Sequence, residues 1–450
     1  MIKSINPYND EVVYENQAMS TEEVESFVEK AHNAYNSWRK IGFPERSLLM
    51  NRLADVLEDN KERYAKVMTK EMGKPISQAV AEVEKCAWVC RYYAENGESQ
   101  LAKRDIKTDA KESYVRYDPL GVILGVMPWN YPFWQVFRFA VPTLYAGNTV
   151  LLKHASNVME SSKMIQDVFD KAGFPPHTFT ALFIGSKEVE KVIRNKYVQG
   201  VSLTGSKPAG SAVASVASEE IKPSLLELGG NNALVVFEDC NLEESVDIVL
   251  QARFQNTGQS CIAGKRLLLQ DKIAEEFLDR LTKKVKALKA GDPMDKETYV
   301  GVMVNEEAAN TLQEQLNKSV KMGAEIVIGG NHDGAYFEPT IVKNVSNDMP
   351  VYQEETFGPL LAVATFYSEE EAIKMVNESE FGLGVSIFTS DSERTKRLIP
   401  AFEDGAVFVN DLVKSDPRLP FGGTKISGYG RELSKDGILS FVNVKTVYIK

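Results

Sequence analysis

From about residue 120 onward the chain alternates short apolar runs with stretches of helical spacing. Val122–Val126, Thr149–Leu152, Thr180–Ile184 and Gly200–Leu203 are largely apolar, as strands buried on both faces are. Met159–Ala172 and Lys187–Asn195 read as helices between the later runs. Such alternation leaves few folds open: it implies a parallel sheet covered by helices. A second block starts at Ala233–Phe237 and continues through Lys265–Leu269, helices at Ala274–Ala290 and Glu306–Met322, and a strand at Glu325–Ile328. The blocks divide near Gly229–Gly230, giving an α/β chain of two lobes.

The first hundred residues read as helices. Ser20 and Glu23 have capping-box spacing, and Val24, Phe27, Val28, Ala31, Tyr35 and Trp38 recur as on one face of a helix. A second helix is expected over Arg46–Lys70 and a third after Pro75, with Cys86 and Cys90 on its apolar face. Phe441–Lys450 and Lys111–Asp118 read as edge strands, which favour strand pairing between copies.

Composition narrows the function. The 450 residues carry 52 Lys+Arg against 63 Asp+Glu, a net charge of −11, which disfavours nucleic acid and anionic membranes as partners. With 43% hydrophobic residues the chain buries a sizeable core, so disorder and small disulfide scaffolds are excluded. At about 150 residues per domain, the length suggests about three domains or lobes. Four cysteines make no disulfide framework, and no His or Cys spacing suggests a zinc or other metal site. The 19 residues from Pro119 to Phe137 lack a charge. Pro119, Pro128, Pro132, Asn130 and Gln135 make that run a poor lipid-exposed helix and a better buried strand with a shaped loop. Met1–Asp10 lacks the apolar run of a secretory signal, and a soluble, cytoplasmic protein is expected.

Neither a G-x-G-x-x-G dinucleotide fingerprint nor a phosphate-binding P-loop occurs. Three other segments carry chemistry. Asn256-Thr-Gly-Gln-Ser-Cys261 ends a polar turn on a thiol, which reads as a nucleophile or as a buried cysteine opening a strand. An ordinary thiol, with a pKa of about 8.5, needs a cation, a base or a helix N-terminus to act. Leu226-Glu227-Leu228-Gly229-Gly230 places a carboxylate among leucines, which reads as a general base with a raised pKa or as a salt-bridged strand end. Pro128-Trp-Asn-Tyr-Pro132 follows a strand, where ligands of open α/β sheets bind. There Asn130 reads as an oxyanion donor or as a turn residue bonded to its own backbone. Lys153, Ser156, Gly205 and Ser206 stand at neighbouring strand ends, as ribose and pyrophosphate contacts or as an ordinary surface lysine and helix cap.

In this order, and joined by Glu354-Glu-Thr-Phe-Gly-Pro359 and Pro420-Phe-Gly-Gly423, these segments resemble the aldehyde dehydrogenase superfamily over nearly the whole chain. The resemblance implies two Rossmann-like parallel-sheet lobes, for cofactor and catalysis, plus a small β oligomerisation arm. It divides the chain into a cofactor-binding domain (1–110 and 122–230), a catalytic domain (231–415) and an arm (111–121 and 431–450). It makes Cys261 the nucleophile and Glu227 the general base, with Asn130 and the Cys261 backbone N–H as the oxyanion hole. Lys153 and Ser156 would face the adenosine ribose, and Gly205 and Ser206 the pyrophosphate. Glu355 would hold the nicotinamide ribose beside Phe357, with Trp129 and Leu228 lining the channel. An aldehyde would add to the thiolate, lose hydride to the nicotinamide and leave as an acid.

Arg138 stands eight residues after Asn130 in an uncharged stretch, so it needs an anionic partner. In the succinate-semialdehyde dehydrogenase branch an arginine at this spacing binds the substrate carboxylate, and an internal salt bridge is the alternative. Where some of that branch carry a second arginine, this chain has Gln255; Arg253 would point elsewhere, and the Ser415–Arg418 loop is a candidate to complete the pocket. Ala263 removes a local disulfide switch with Cys261. NAD is the expected cofactor. Ser156 leaves NADP open, because it lacks the carboxylate by which NAD-selective relatives repel a 2′-phosphate. A carboxylated aldehyde is the expected partner, and a homodimer or homotetramer the expected assembly. The rival readings are a dehydrogenase for uncharged aldehydes, an acyl-CoA-forming relative and a non-enzymatic protein on the same fold.

Overall fold

Val122–Met127 lies at the centre of a six-stranded sheet. Its parallel neighbours are Thr149–His154 and Val198–Thr204, followed outward by Phe179–Leu182 and Ser224–Glu227. Gly428–Tyr429 closes the second edge, antiparallel to Ser224–Glu227. The coordinates, a computed structural model, describe residues 1–450. Alternate residues enter different cores: Ile123, Val150 and Leu152 join one apolar cluster, while Val122, Leu124 and Leu151 join another. Both faces are therefore buried, which is why these strands read as continuous apolar runs.

Chain order runs outward in both directions from Val122–Met127. The loops leaving this strand and Val198–Thr204 thus flank the point where winding reverses, the usual ligand crevice of such sheets. Register brings the candidate residues to that edge: Val126 lies opposite Lys153, and Thr204 opposite Glu227.

The second lobe is a seven-stranded sheet. Its order is Glu325–Ile328, Thr340–Lys343, Leu360–Phe366, Gly264–Gln270, Asn232–Val236, Val385–Phe388 and Val407–Val409. Only the outermost pair, Glu325–Ile328 with Thr340–Lys343, is antiparallel. A third, three-stranded sheet pairs Val442–Ile449 with Glu112–Pro119 along their full lengths, flanked by Arg104–Asp105. Val444, Tyr448 and Ile449 on it are exposed. No helix is long and apolar enough to cross a membrane.

The capping box is formed. Ser20 Oγ accepts from the Glu23 N–H at 3.2 Å, and the Glu23 carboxylate accepts from the Ser20 N–H at 2.7 Å. The helix expected over Arg46–Lys70 is two helices, Phe43–Asp59 and Lys61–Met72, because Asn60 leaves helical geometry at φ −118°, ψ 13°. The segment after Pro132, expected as part of a loop, is a helix over Trp134–Tyr145 with every residue buried. A helix buried all round shows no amphipathic period, and Pro142 within it disguises it further.

Candidate active site

The Cys261 loop lies between the helix Leu242–Phe254 and the strand Gly264–Gln270. Asn256 and Thr257 adopt left-handed backbone, both at φ 54°, which is costly for a β-branched residue. The loop is held there from several sides. The Asn256 N–H donates to Gln78 Oε1 at 2.7 Å, and its side-chain amide donates to the Asn130 and Gln259 carbonyls at 2.9 and 3.0 Å. Thr257 Oγ1 and Gln259 Oε1 accept from the N–H groups of Gly301 and Val304. Gly258, at φ 70°, packs its α-carbon against the Gly358 carbonyl, where a β-carbon would clash. Lys265 Nζ donates to the Ser260 and Cys261 carbonyls at 2.8 Å each and pairs with Glu355 at 3.1 Å.

Cys261 is half-buried. Burial pushes its thiol up to about 11 even though the Arg138 and Lys265 cations oppose the rise. The thiol is therefore stored protonated at neutral pH. The Cys261 N–H has no acceptor within the chain. Asn130 is buried, and its amide donates to the Gln259 carbonyl at 3.2 Å. An amide carries two such hydrogens, so one remains to donate to an oxyanion.

Glu227 ends its strand fully enclosed, and neither carboxylate oxygen has a hydrogen-bond partner. Gly422 of Pro420-Phe-Gly-Gly423 makes room for it: a β-carbon there would stand 2.7 Å from Glu227 Oε1. Burial, then the nearby Glu432 carboxylate, pushes the Glu227 pKa well up, against Arg138 and Arg431. Arg138 is itself buried and pairs through Nε with Glu432. Its guanidinium lies 4.5 Å from the Phe421 ring centroid, and Nη2 donates to Thr204 Oγ1 at 3.3 Å. The Glu432 carboxyl is likewise raised by burial. Burial thus raises both carboxyls, and the Arg138 guanidinium opposes the rise at each.

At the crevice of the six-stranded sheet, polar groups are left unused. Lys153 is buried, and its ammonium makes no hydrogen bond or ion pair within the chain. Ser156 and Ser206 are exposed; Ser206 precedes the helix Lys207–Glu219 without capping it through its side chain. A helix N-terminus with a free hydroxyl and the Gly205 turn suits a phosphate. Glu355 accepts from the Gly230 N–H at 3.0 Å, Trp129 meets Phe357 edge-on at 5.7 Å, and Leu228 is buried against Gly210. The donor set fits a dinucleotide. No group of three or more His, Cys, Asp or Glu residues is placed to hold a metal ion.

A cavity of about 400 Å³ opens beside the thiol, with Cys261, Tyr131, Trp134, Arg138 and Phe421 in its wall. Gln255 and Ser415 also line it. Arg253 does not reach it: buried, it donates through Nη2 to the Thr356 carbonyl at 3.0 Å and fixes the Glu354–Pro359 segment. Two groups of the site were missed in the sequence, Glu432 and Lys265. A lysine opening an apolar strand run was a usable signal for Lys265, because a buried charge needs partners. Nothing local distinguished Glu432 from a surface glutamate.

The model of the aldehyde dehydrogenase family matches residues 1–447, and the chain belongs to that family. Among its relatives is a probable succinate-semialdehyde dehydrogenase [NADP(+)] of Synechocystis sp., 46% identical over 451 residues, covering 100% of this chain and 99% of that protein. Succinate-semialdehyde dehydrogenase [NADP(+)] 1 of Mycobacterium tuberculosis is 42% identical over 454 residues, covering 100% and 99%. The crystal structure of succinic semialdehyde dehydrogenase from Streptococcus pyogenes, in complex with NADP+, superposes with a TM-score of 0.97 at 37% identity, covering 100% of both chains. The chain is thus an NAD(P)-dependent aldehyde dehydrogenase with two Rossmann-like parallel-sheet lobes.

Proposed function

We propose that this chain oxidises succinate semialdehyde to succinate, with Cys261, Glu227 and Asn130 as its catalytic residues and NADP as the preferred cofactor. The observation that carries the reading is one cavity whose wall holds both the Cys261 thiol and the Arg138 guanidinium. Arg138 Nη1 makes no hydrogen bond within the chain, so pairing with Glu432 leaves a donor for a substrate carboxylate. The names of the relatives support the same substrate and cofactor. They move the preference from NAD, favoured by the sequence alone, to NADP. Exposed Ser156 and unpaired Lys153 offer a 2′-phosphate a hydroxyl and a cation without a repelling carboxylate.

The chemistry follows from the side chains. The Cys261 thiol, once deprotonated, attacks the aldehyde carbon. The resulting oxyanion receives hydrogen bonds from Asn130 Nδ2 and the Cys261 N–H; removing one such donor typically costs about 10²–10³ in rate. When bound beside Glu355 and Phe357, a nicotinamide cofactor would supply the acceptor for the hydride that leaves the substrate carbon. Cys261 then carries a thioester. Glu227, ionised, removes a proton from the water that hydrolyses it, a role worth about 10²–10⁴. Arg138 and Glu432 adjust the charge around Glu227, and Lys265 holds the thiol loop. Strand addition through Val442–Ile449 would assemble two or four copies.

The test is a kcat/KM panel of succinate semialdehyde, butanal and benzaldehyde, each with NAD and NADP. Succinate semialdehyde with NADP should lead butanal by at least about tenfold, the lower worth of one charged contact. Cys261→Ala should abolish cofactor reduction while cofactor binding persists. Equal values for charged and uncharged aldehydes would refute the substrate, and turnover by the alanine variant would refute the nucleophile.

A further inference from the structure

Arg138 shares its charge with Glu432, whereas another cation in the same wall shares its charge with no carboxylate. Lys85 projects from the helix Ile76–Gln100 into the cavity that holds Cys261. Its Nζ donates to Ser415 Oγ at 2.9 Å and lies 4.3 Å from the Trp134 ring centroid. Trp134 Nε1 donates to the same oxygen at 2.9 Å. Ser415 Oγ thus accepts twice, which leaves its own hydrogen to donate. The acidic side chains nearby are already engaged. Glu82 pairs with Lys74 and accepts from the Phe133 and Trp134 N–H groups, and Asp416 pairs with Arg418.

What remains at this wall is an ammonium with two unused hydrogens, a hydroxyl with one, and an indole face beneath. Together they ask for an acceptor-only anion. We propose that Lys85, assisted by the Ser415 hydroxyl, is a specificity-determining anchor for the carboxylate of the substrate, opposite the aldehyde that meets Cys261. The inference rests on the carboxylated-aldehyde reading above and adds Lys85 to Arg138 as a second cation in the same cavity wall. It also explains how the cavity does without an arginine at Gln255: the cation comes from the Ile76–Gln100 helix instead.

Burial and the Arg138 charge push the Lys85 ammonium down to about 8, against Cys86, Glu82 and Asp416. Lys85 therefore loses its charge in the mildly alkaline range. The ratio of kcat/KM for succinate semialdehyde to that for butanal cancels whatever titrates in common, Cys261 included. This ratio should fall with pH above about 8 in the wild type.

Lys85→Met should lower kcat/KM for succinate semialdehyde about 10- to 100-fold, the worth of a charged hydrogen bond, mainly through KM. It should lower that for butanal less than about threefold. Lys85→Gln, which keeps a donor for Ser415 but no charge, should show the same selective loss and so separates lost charge from lost packing. Lys85→Arg should keep most of the preference and remove its alkaline decline. Equal loss on both aldehydes, or no loss on succinate semialdehyde, overturns the Lys85 assignment. A wild-type enzyme that handles both aldehydes equally overturns the carboxylated-substrate reading itself.

Discussion

Two buried lysines, one from each sheet, have the same desolvated character and opposite situations. Burial lowers the pKa of both. Lys265, on the seven-stranded sheet, is fully used: two carbonyls of the thiol loop and Glu355 surround its ammonium. Lys153, on the six-stranded sheet, has no internal partner. A buried cation is costly unless it is paired, so the contrast separates two jobs. Lys265 supplies charge to shape the chain, while Lys153 keeps its charge for something the chain does not contain. The lysine of the seven-stranded sheet is satisfied from within the chain, and that of the six-stranded sheet is not.

Removing the used lysine should have the largest effect. Lys265→Met orphans the Ser260 and Cys261 carbonyls and leaves Glu355 without its cation. Breaking a buried pair typically costs about 3–5 kcal/mol, so denaturant unfolding should shift by an amount of that order. Activity should fall about 10²–10³-fold, as when an oxyanion donor is displaced, because the carbonyls of Ser260 and Cys261 fix the backbone beside the thiol. The variant also removes one of the two cations that hold the Cys261 thiol from rising beyond about 11. Its inactivation by iodoacetamide at pH 8 should therefore be slower than that of the wild type, since less of the thiol is ionised. Wild-type stability together with wild-type alkylation would show that Lys265 does not hold the loop.

The unused lysine should behave in the opposite way. Lys153→Met removes an unpaired buried charge, so stability without cofactor should stay within about 1 kcal/mol of wild type or rise. The KM for NADP should rise about 10- to 100-fold, the worth of one charged hydrogen bond to a ligand, with kcat nearly unchanged. Stabilisation by added NADP should shrink in parallel. A variant as unstable as Lys265→Met would erase the distinction between the two lysines.

The sequence exposed this contrast only in part. Strands such as Val122–Met127 and Asn232–Val236 were legible because burial on both faces leaves unbroken apolar runs. Cys261, Glu227 and Asn130 stood out as candidates because each sits in a segment marked by glycine or proline, although each segment alone also allowed a structural reading; the fold adds that Gly422 gives way to the Glu227 carboxylate. The helix Trp134–Tyr145 was hidden, since a helix without a polar face has no period to read. So was the break at Asn60, where neither proline nor glycine marks the end of a helix. Pairings between distant segments were hidden as well. Arg138 announced that it needed an anion, yet nothing along the chain pointed to Glu432 rather than a substrate. Lys153 and Lys265 both border an apolar run, one after it and one before it. Only the fold shows which of them was left without a partner.

The smallest effect sharpens the comparison at the open side of the crevice. Ser156 is exposed two positions beyond the strand Thr149–His154, and no acidic side chain pairs with Lys153. Ser156→Glu would introduce a carboxylate close to that ammonium. Such a carboxylate can accept from ribose hydroxyls and repels a 2′-phosphate, so kcat/KM with NADP should fall about tenfold relative to NAD. Partial exposure keeps the change modest, because solvent and salt screen the repulsion. The effect should therefore weaken as ionic strength rises from about 0.01 M to about 1 M, over which the screening length shrinks from about 30 Å to about 3 Å. Lys153→Met in the same background should add little further loss with NADP, since the glutamate would already have taken the ammonium as its partner. Full additivity of the two substitutions would instead mean that Lys153 and Ser156 meet the cofactor independently.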